Sequence, residues 1–373
     1  MKRLRYKRVL FLLLLPLAVI CYLISKYSPW AAEYIFARSY YHVFGNVIAW
    51  VSGLFPFSLA EFLVCAAPFV LLIGAAIWMV HICRSKREDR RRIVILGIVN
   101  VCCIASVIVF LIITFAMINI NRYSFTTYCG LETEEYSREE LITLCESLIE
   151  EANAYREEVA EDADGVADLK LSFDEMTKEA KKAYANASKT YPVLDNVRIN
   201  AKSVYFSKYM SYSGIIGVYA PFTVEANLDT DIMEYKQPAT LCHEISHVQG
   251  FMREDEAKYI AYLVCLESEN PGFRYSGVMS VLSRCLDALY DQDPEAYADL
   301  FAQFSDALMR DAEANTAYWN EIYSSKAAQK VEKAVTTFND SYLQASGQDG
   351  VQSYGLVVDL LLAQQRKEMR KDK

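Results

Sequence analysis

The sequence predicts a mostly helical α+β protein, in which N-terminal transmembrane helices precede a zinc-binding domain with a small β-sheet. Three observations predict this class. Long apolar runs fall within the first 120 residues, a His-Glu-x-x-His pattern lies in a helical segment at 243–247, and strand-like segments precede that pattern. We therefore expect a membrane region over 1–120 and a globular domain over 121–373.

Three segments are expected to cross a bilayer: residues 9–24, 62–82 and 93–120. The second and third exceed the roughly 20 residues that span a bilayer core. The first follows a basic N-terminus, as a signal peptide would, but no small-x-small cleavage site follows it, which indicates an uncleaved helix. Residues 30–57 are rich in aromatic side chains and are predicted to form short helices at the membrane interface, with an ordinary loop as the alternative.

Charge is divided unevenly along the chain. Residues 1–120 contain 13 Lys and Arg and 4 Asp and Glu, a net of +9, so the net charge of −9 for the whole chain leaves −18 for 121–373. An acidic domain argues against nucleic-acid binding. The N-terminus and the loop 83–92 are strongly basic, which places both in the cytoplasm by the positive-inside rule. We therefore expect a multi-pass protein of the cytoplasmic membrane, embedded in the lipid bilayer, whose C-terminal domain is extracytoplasmic.

The His-Glu-x-x-His pattern carries the clearest chemistry in the chain. His243 and His247 are four residues apart, so on a helix their imidazoles face the same side and can bind one metal ion. Glu244, one position round, can then activate a zinc-bound water as general base. Pro238 and Gly250 suit the start and the end of that helix. The arrangement is typical of a zinc-dependent hydrolase, and the alternative is a helix whose histidines serve no catalytic metal.

A catalytic zinc usually has three protein ligands, so a third is expected near the motif. Arg253 stands where the metzincin pattern has its third histidine, which excludes that subfamily. The segment that begins at Glu254 resembles the second helix of gluzincin peptidases, whose leading glutamate binds zinc. This resemblance implies Glu254 as the third ligand, with Glu256 as the alternative. Lys258 stands where the gluzincin pattern usually has Asp or Asn, so a hydrogen-bond partner for a ligand histidine is missing or supplied elsewhere.

The segments before the motif predict a small sheet that can hold substrate. Strands are expected at three places: 197–206, 214–219 and 223–227. An exposed edge strand can bind an extended peptide by backbone pairing, and 217–226 is the candidate, with an ordinary edge hairpin as the alternative. Tyr219 and Glu225 lie in it and are candidate substrate-binding residues. Tyr275 is a third candidate, as a phenol that stabilises an oxyanion, although core packing is the favoured interpretation.

Capping boxes predict two helices in the acidic domain. Ser-x-x-Glu patterns at 137–140 and 172–175 open helices over about 138–160 and 173–188. A last amphipathic helix is expected at about 351–365, too short to be a fourth span.

The cysteines predict no disulfide framework. Ten are present without a Cys-x-x-Cys pair, and the acidic domain holds an odd number of them. A complete set of disulfides is therefore impossible, although a Cys129–Cys145 bond remains conceivable.

Several motifs together resemble an uncharacterised bacterial family, known only as a domain of unknown function in membrane-anchored proteins. The motifs lie at 217–226, at 243–251, at 254–257 and at Tyr-Ser-Gly 275–277, after three N-terminal spans. The resemblance implies a gluzincin-like zinc domain and supplies no substrate.

The expected function is that of a membrane-anchored zinc metallopeptidase, which hydrolyses peptide or protein substrates on the outer side of the cytoplasmic membrane. Intramembrane proteolysis fits poorly because charged residues flank the motif and no long apolar run contains it. Two alternatives remain open. One is a non-catalytic membrane sensor or scaffold with a structural or peptide-binding zinc site, and the other is a zinc amidase that acts on cell-wall peptides.

Overall fold

The computed structural model describes residues 8–345 and 356–371, and the chain forms two compact units. The first unit contains residues 1–123 together with 220–225, and the second contains 124–219 and 226–373. The first unit thus ends its N-terminal stretch at residue 123. The assignment of the short segment 220–225 to the first unit is a feature that the sequence did not indicate.

The first unit is helical. Its main helices are α1 (Leu14–Tyr27), α2 (His42–Ser52), α3 (Leu59–Arg84) and α4 (Arg87–Ile112). A 3₁₀ turn at Leu10–Leu13 precedes α1, a π-helix at Ala31–Tyr41 precedes α2, and a π-turn at Ile113–Met117 continues α4 towards Ile120. Three segments are long and apolar enough to cross a membrane: Leu10–Tyr27, Leu59–Arg84 and Arg87–Ile120. They coincide with the three predicted spans and indicate a membrane protein. The segment 30–57 is helical over most of its length, and its place at the membrane interface stays a prediction.

A buried ion pair holds the π-helix of this unit. The Glu33 carboxylate is fully buried and accepts hydrogen bonds from Nε and Nη2 of Arg122, both at 2.9 Å. Arg38, which is 42% exposed, also donates to Glu33, at 2.6 Å. A buried carboxylate is tolerated when a guanidinium pairs with it in this two-bonded geometry, because the hydrogen bonds offset the loss of hydration.

Removal of Arg122 is therefore expected to destabilise the protein far more than removal of Arg38. Arg122→Met leaves a buried carboxylate with one partly exposed partner, which costs about 3–5 kcal/mol. Arg38→Met is the matched control and is expected to cost no more than about 1 kcal/mol. Thermal unfolding of the full-length protein in detergent measures both. Equal shifts for the two variants would show that burial of the pair does not matter.

The second unit consists of helices and one small sheet. Its helices are α5 (Phe125–Cys129), α6 (Arg138–Glu157), α7 (Phe173–Thr190), α8 (Ser207–Tyr212), α9 (Gln237–Val248), α10 (Glu254–Leu266), α11 (Pro271–Gln292), α12 (Pro294–Phe301), α13 (Asp306–Ile322), α14 (Lys326–Ala345) and α15 (Val357–Lys371). Helices α9, α10 and α11 pack together, α6 packs on α11, and α7 packs on both α9 and α10. The motif helix α9 is thus held at the centre of the unit.

The capping predictions are confirmed. The Ser137 and Ser172 side chains accept hydrogen bonds from the backbone of Glu140 and Glu175, and both carboxylates reach back to the capping residues. Helices α6 and α7 begin directly after these serines. Residues 351–355 of the predicted last helix lie outside the described residues, and the described helix α15 extends to Lys371.

The sheet has three short strands in the order β1-β3-β2, namely β1 (Ala201–Ser203), β2 (Gly217–Ala220) and β3 (Glu225–Leu228). Strand β1 runs parallel to β3, with Ala201 opposite Ala226. The prediction of one strand over 197–206 is too long. The Gln249 side chain accepts from the backbone N–H groups of Asn196 and Val197 and donates to the Val197 carbonyl, so this backbone is satisfied without a ladder.

All ten cysteines are free thiols, so the conceivable Cys129–Cys145 bond is absent. The Cys145 thiol contacts Cys285 instead, and Cys242 contacts Cys265 across the α9–α10 packing. Cys242, next to the motif histidine, is completely buried and serves as a packing residue.

Candidate metal centre

Helix α9 holds the motif rigidly. Pro238 lies in its first turn, and Gly250 adopts φ 92°, the left-handed conformation in which glycine ends helices without strain. Every residue of α9 is buried except His243. From α7, the Tyr184 hydroxyl donates to the Cys242 carbonyl at 2.6 Å and lies 2.9 Å from the Ser246 hydroxyl. The helix therefore has little freedom to rotate, so the orientation of its functional side chains is fixed.

Two histidines and one glutamate form the only group of potential metal ligands found among the described residues. The ligand atoms of His243, His247 and Glu254 all lie within 4.8 Å of one another. Glu254 Oε2 is 3.1 Å from Nε2 of His243 and 3.7 Å from Nε2 of His247. Their side chains are between 8% and 16% exposed, so the cluster is largely buried and still reachable from solvent. These three residues are near enough to bind one metal ion.

Glu254 rather than Glu256 joins the histidines because the two carboxylates leave α10 in different directions. Glu256 is 3% exposed and accepts hydrogen bonds from the Phe125 backbone N–H at 3.1 Å and from Arg253 at 2.7 Å. It caps the short helix α5 and lies outside the ligand group. The structure thus separates the two candidates that the sequence left open.

The two histidines are oriented differently. Nδ1 of His247 is 2.7 Å from the Phe251 carbonyl, to which it donates, and this bond leaves Nε2 as the acceptor facing the cluster. Nδ1 of His243 is buried and has no hydrogen-bond partner among the described residues. Lys258, one turn after Glu254 on α10, brings a cation rather than a carboxylate to this helix face. The sequence-based expectation of a missing partner therefore fits His243.

Glu244 lies between the ligand cluster and strand β2. Its side chain is buried, and it accepts a hydrogen bond from the Tyr219 backbone N–H. A Cβ atom at Gly217 would lie 2.6 Å from Oε1 of Glu244, so glycine alone leaves room for the carboxyl group. Burial raises the pKa of Glu244 to about 8. A carboxyl group in this range can both accept and donate a proton near neutral pH.

Gly217→Ala is expected to displace the Glu244 carboxyl group while leaving the metal ligands in place. If Glu244 transfers protons, kcat should fall by about 10-fold or more because a displacement of 1 Å at a reacting group is costly. Metal content, measured by mass spectrometry, should not change. Gly74→Ala is the matched control because a Cβ atom there meets nothing within 4 Å. Unchanged turnover in Gly217→Ala would show that this close approach has no role in catalysis.

The metal-free protein is expected to lose stability between about pH 6.5 and pH 9. Burial raises the pKa of Glu244 to about 8, and the pKa of His247, which burial alone would lower, is raised to about 9 by Glu254. Both pKa values are higher in the folded state than in the unfolded state, so the stability they contribute is lost as pH rises through them. Burial lowers the pKa of His243 to about 4, an opposing effect that is complete by about pH 6.5.

Burial also lowers the pKa of Lys236 and Lys258 to about 8, an opposing effect that returns stability above pH 8. The net loss should therefore be on the order of 3 kcal/mol. Melting temperatures of the full-length protein in EDTA at the two ends of this range test the expectation. With metal bound the trend should reverse, since metal binding requires deprotonated ligands. Equal melting temperatures in EDTA would contradict the expected trend.

The three candidate substrate-binding residues lie in different environments, and only one of them is beside the ligand group. Tyr219 lies on β2, and its ring centroid is 6.3 Å from that of His247, so it borders the cluster. Glu225 is fully buried within the first unit, where it accepts from the backbone N–H groups of Leu59 and Ala60 and caps α3. The Tyr275 hydroxyl is buried and donates to Asp311 at 2.6 Å. These contacts correct the prediction for Glu225, and they place Tyr275 in the core rather than at an oxyanion.

Two features of the site had little or no signal in the sequence. Gly217 lies in a segment predicted as a strand. A glycine in a strand indicates that another group packs closely against the backbone, but it does not identify that group. Gln249 orders the chain before the sheet from a position directly after α9, and nothing in the pattern of the sequence distinguishes it.

A family model described as "Protein of unknown function (DUF3810)" matches residues 36–362. No curated protein and no solved structure matches the chain.

Proposed function

We propose a function from the site for this chain, which belongs to the DUF3810 family of proteins of unknown function: a gluzincin-like zinc metallopeptidase anchored in the cytoplasmic membrane. The observation that carries the proposal is the convergence of two imidazole nitrogens and one carboxylate oxygen, with a buried glutamate beside them.

The donor set and its spacing fit zinc. Nitrogen and oxygen ligands about 2.0–2.2 Å from a tetrahedral zinc ion lie roughly 3.3–3.6 Å apart. The two distances from Glu254, 3.1 and 3.7 Å, bracket this range. Only three ligands are found among the residues that the structure describes, which is the number typical of a catalytic rather than a structural zinc. The structural-zinc alternative is therefore disfavoured.

When bound, zinc would polarise the scissile carbonyl as a Lewis acid and lower the pKa of water. The chain supplies the remaining functions. Glu244 accepts a proton from the attacking water and delivers it to the leaving amine, and the Tyr219 backbone N–H keeps its carboxyl group in position. The nearby zinc charge would bring the pKa of Glu244 below 8, so that the carboxylate form is available as base at neutral pH.

Strand β2 is the proposed binding place for the peptide backbone. It lies at an edge of the sheet, and the side chain of its residue Val218 is 44% exposed. A substrate that adds to this edge as an extended strand would pass beside Glu244, because Gly217 and Tyr219 on the same strand contact that glutamate. The basic loop 83–92 and three crossings would place this site outside the cytoplasm.

The test uses the full-length protein purified in detergent and a mixed peptide library, with products identified by mass spectrometry. We expect cleavage that 1,10-phenanthroline abolishes and added zinc restores. A parallel preparation of Glu244→Gln excludes a contaminating peptidase. Cleavage of cell-wall peptides alone would favour the amidase alternative. Bound zinc without cleavage of either substrate class would overturn the enzyme and favour the non-catalytic scaffold.

A further inference from the structure

Lys258 presents an unpaired cation beside the metal centre. It lies four residues after Glu254 on α10, and residues at this spacing share a helix face with Cβ atoms about 5–6 Å apart. The side chain is partly buried, and its ammonium group has no hydrogen-bond or ion-pair partner among the described residues. The carboxylates of Glu244 and Glu254 are close enough to act on the Lys258 ammonium group electrostatically.

Lys236 is a second cation, at the start of the motif helix. It directly precedes α9, and its carbonyl accepts from the Thr240 hydroxyl at 2.9 Å. Its ammonium group donates to Asn315, a neutral amide, at 3.1 Å, and no carboxylate lies within ion-pair distance of it in the described part of the chain. Two helical turns separate it from His243, which corresponds to about 10 Å along the axis.

Arg284 on α11 completes a group that we call the cation cluster: Lys236, Lys258 and Arg284. Its guanidinium acts electrostatically on both lysines and is 3.7 Å from Asp287, a surface carboxylate that is 70% exposed. Burial, and then the neighbouring cations, lowers the pKa of both Lys236 and Lys258 to about 8. Partly buried cations that repel one another are costly unless an anion joins them.

We infer that the cation cluster is the subsite that binds a carboxylate of the substrate, next to the scissile bond. The inference rests on the proposed function, since a peptide carries carboxylates at its C-terminus and on Asp and Glu side chains. The axial distance of about 10 Å corresponds to roughly three residues of extended peptide. The protein would therefore prefer substrates with a carboxylate within about three residues of the cleaved bond.

The first experiment compares matched peptides on the full-length protein. One pair has a free C-terminal carboxylate or a C-terminal amide, and a second pair has Glu or Gln near the cleaved bond, which separates the two sources of the carboxylate. We expect kcat/KM to be at least about 10-fold higher for the carboxylate member of one pair, in line with a charge-assisted contact. In Lys258→Met and Lys236→Met, the ratio of kcat/KM between the carboxylate peptide and its neutral partner should fall towards one. Lys182→Met, at a side chain that is 73% exposed, should leave it unchanged.

A second experiment does not depend on turnover. Brief treatment of the full-length protein with acetic anhydride, followed by peptide mass spectrometry, reports the reactivity of Lys236 and Lys258 against that of Lys182. N-acetylglycine should protect the first two lysines, whereas N-acetylglycinamide should not. Such protection without any peptide cleavage would support the carboxylate subsite and count against the peptidase. Equal protection by acid and amide, or cleavage with no preference for a carboxylate, would overturn the inference while leaving the peptidase intact.

Discussion

Glu244→Gln is expected to reduce peptide hydrolysis by about 10²- to 10⁴-fold, the usual contribution of a positioned general base. Glutamine has nearly the same shape and can still accept the hydrogen bond from the Tyr219 backbone N–H, so the site should keep its geometry. It cannot take a proton from water or return one to the leaving amine. Metal content should stay at the wild-type value, because Glu244 is not among the three grouped ligands.

Initial rates on the best peptide from the library, with zinc content measured on the same samples, provide the test. Glu146→Gln, at an exposed position on α6, is the matched control and should retain full activity. Hydrolysis near the wild-type rate in Glu244→Gln would remove this residue from the mechanism. Loss of metal in the same variant would instead point to a structural role.

Single alanine substitutions of His243, His247 or Glu254 are expected to abolish stoichiometric metal binding. Each removes one of the three donors, and two remaining ligands cannot hold zinc against a competing chelator at a catalytic site. Metal content should be measured by mass spectrometry on the full-length protein after dialysis against a weak chelator. Wild type should retain one zinc per chain, and the three variants should retain little.

Glu256→Ala is the control that makes this experiment decisive. It removes a buried carboxylate from the same turn of α10 but should keep the metal, because that carboxylate binds the Phe125 backbone N–H and Arg253. It should lower the melting temperature, since a buried N–H group loses its partner at a cost of about 1–3 kcal/mol. Metal loss in Glu256→Ala with retention in Glu254→Ala would reverse the assignment. A folded wild type without metal would favour a non-catalytic scaffold.

Periodicity in the sequence predicted the elements that depend on local rules. Helical spacing brings His243 and His247 to one side of α9, and the two capping boxes mark where α6 and α7 begin. The three apolar runs likewise coincide with the long helices of the first unit. Each of these features is decided by residues within a few positions of one another.

Features that depend on distant partners were missed. Glu225 lies in a segment that suggested substrate binding, yet its partners are backbone groups at Leu59 and Ala60, more than 160 residues earlier. Tyr275 suggested an oxyanion donor, but its hydroxyl bonds to Asp311, whose carboxylate also pairs with the buried Arg156. No pattern within either segment identifies such partners, because the chain brings them together only when it folds.

The contact between Glu225 and the start of α3 has a consequence for biosynthesis. Helix α3 is synthesised early in translation, when the Ser58 side chain, which accepts a hydrogen bond from the Glu61 backbone N–H, is the only one of its capping groups present. The carboxylate that caps Leu59 and Ala60, and the Thr223 carbonyl that receives the Ser52 hydroxyl, emerge from the ribosome long afterwards. The first unit can therefore be completed only after the segment 220–225 has been synthesised. A nascent chain that stalls before residue 220 lacks the hydrogen bonds that this segment makes with the earlier helices of the unit.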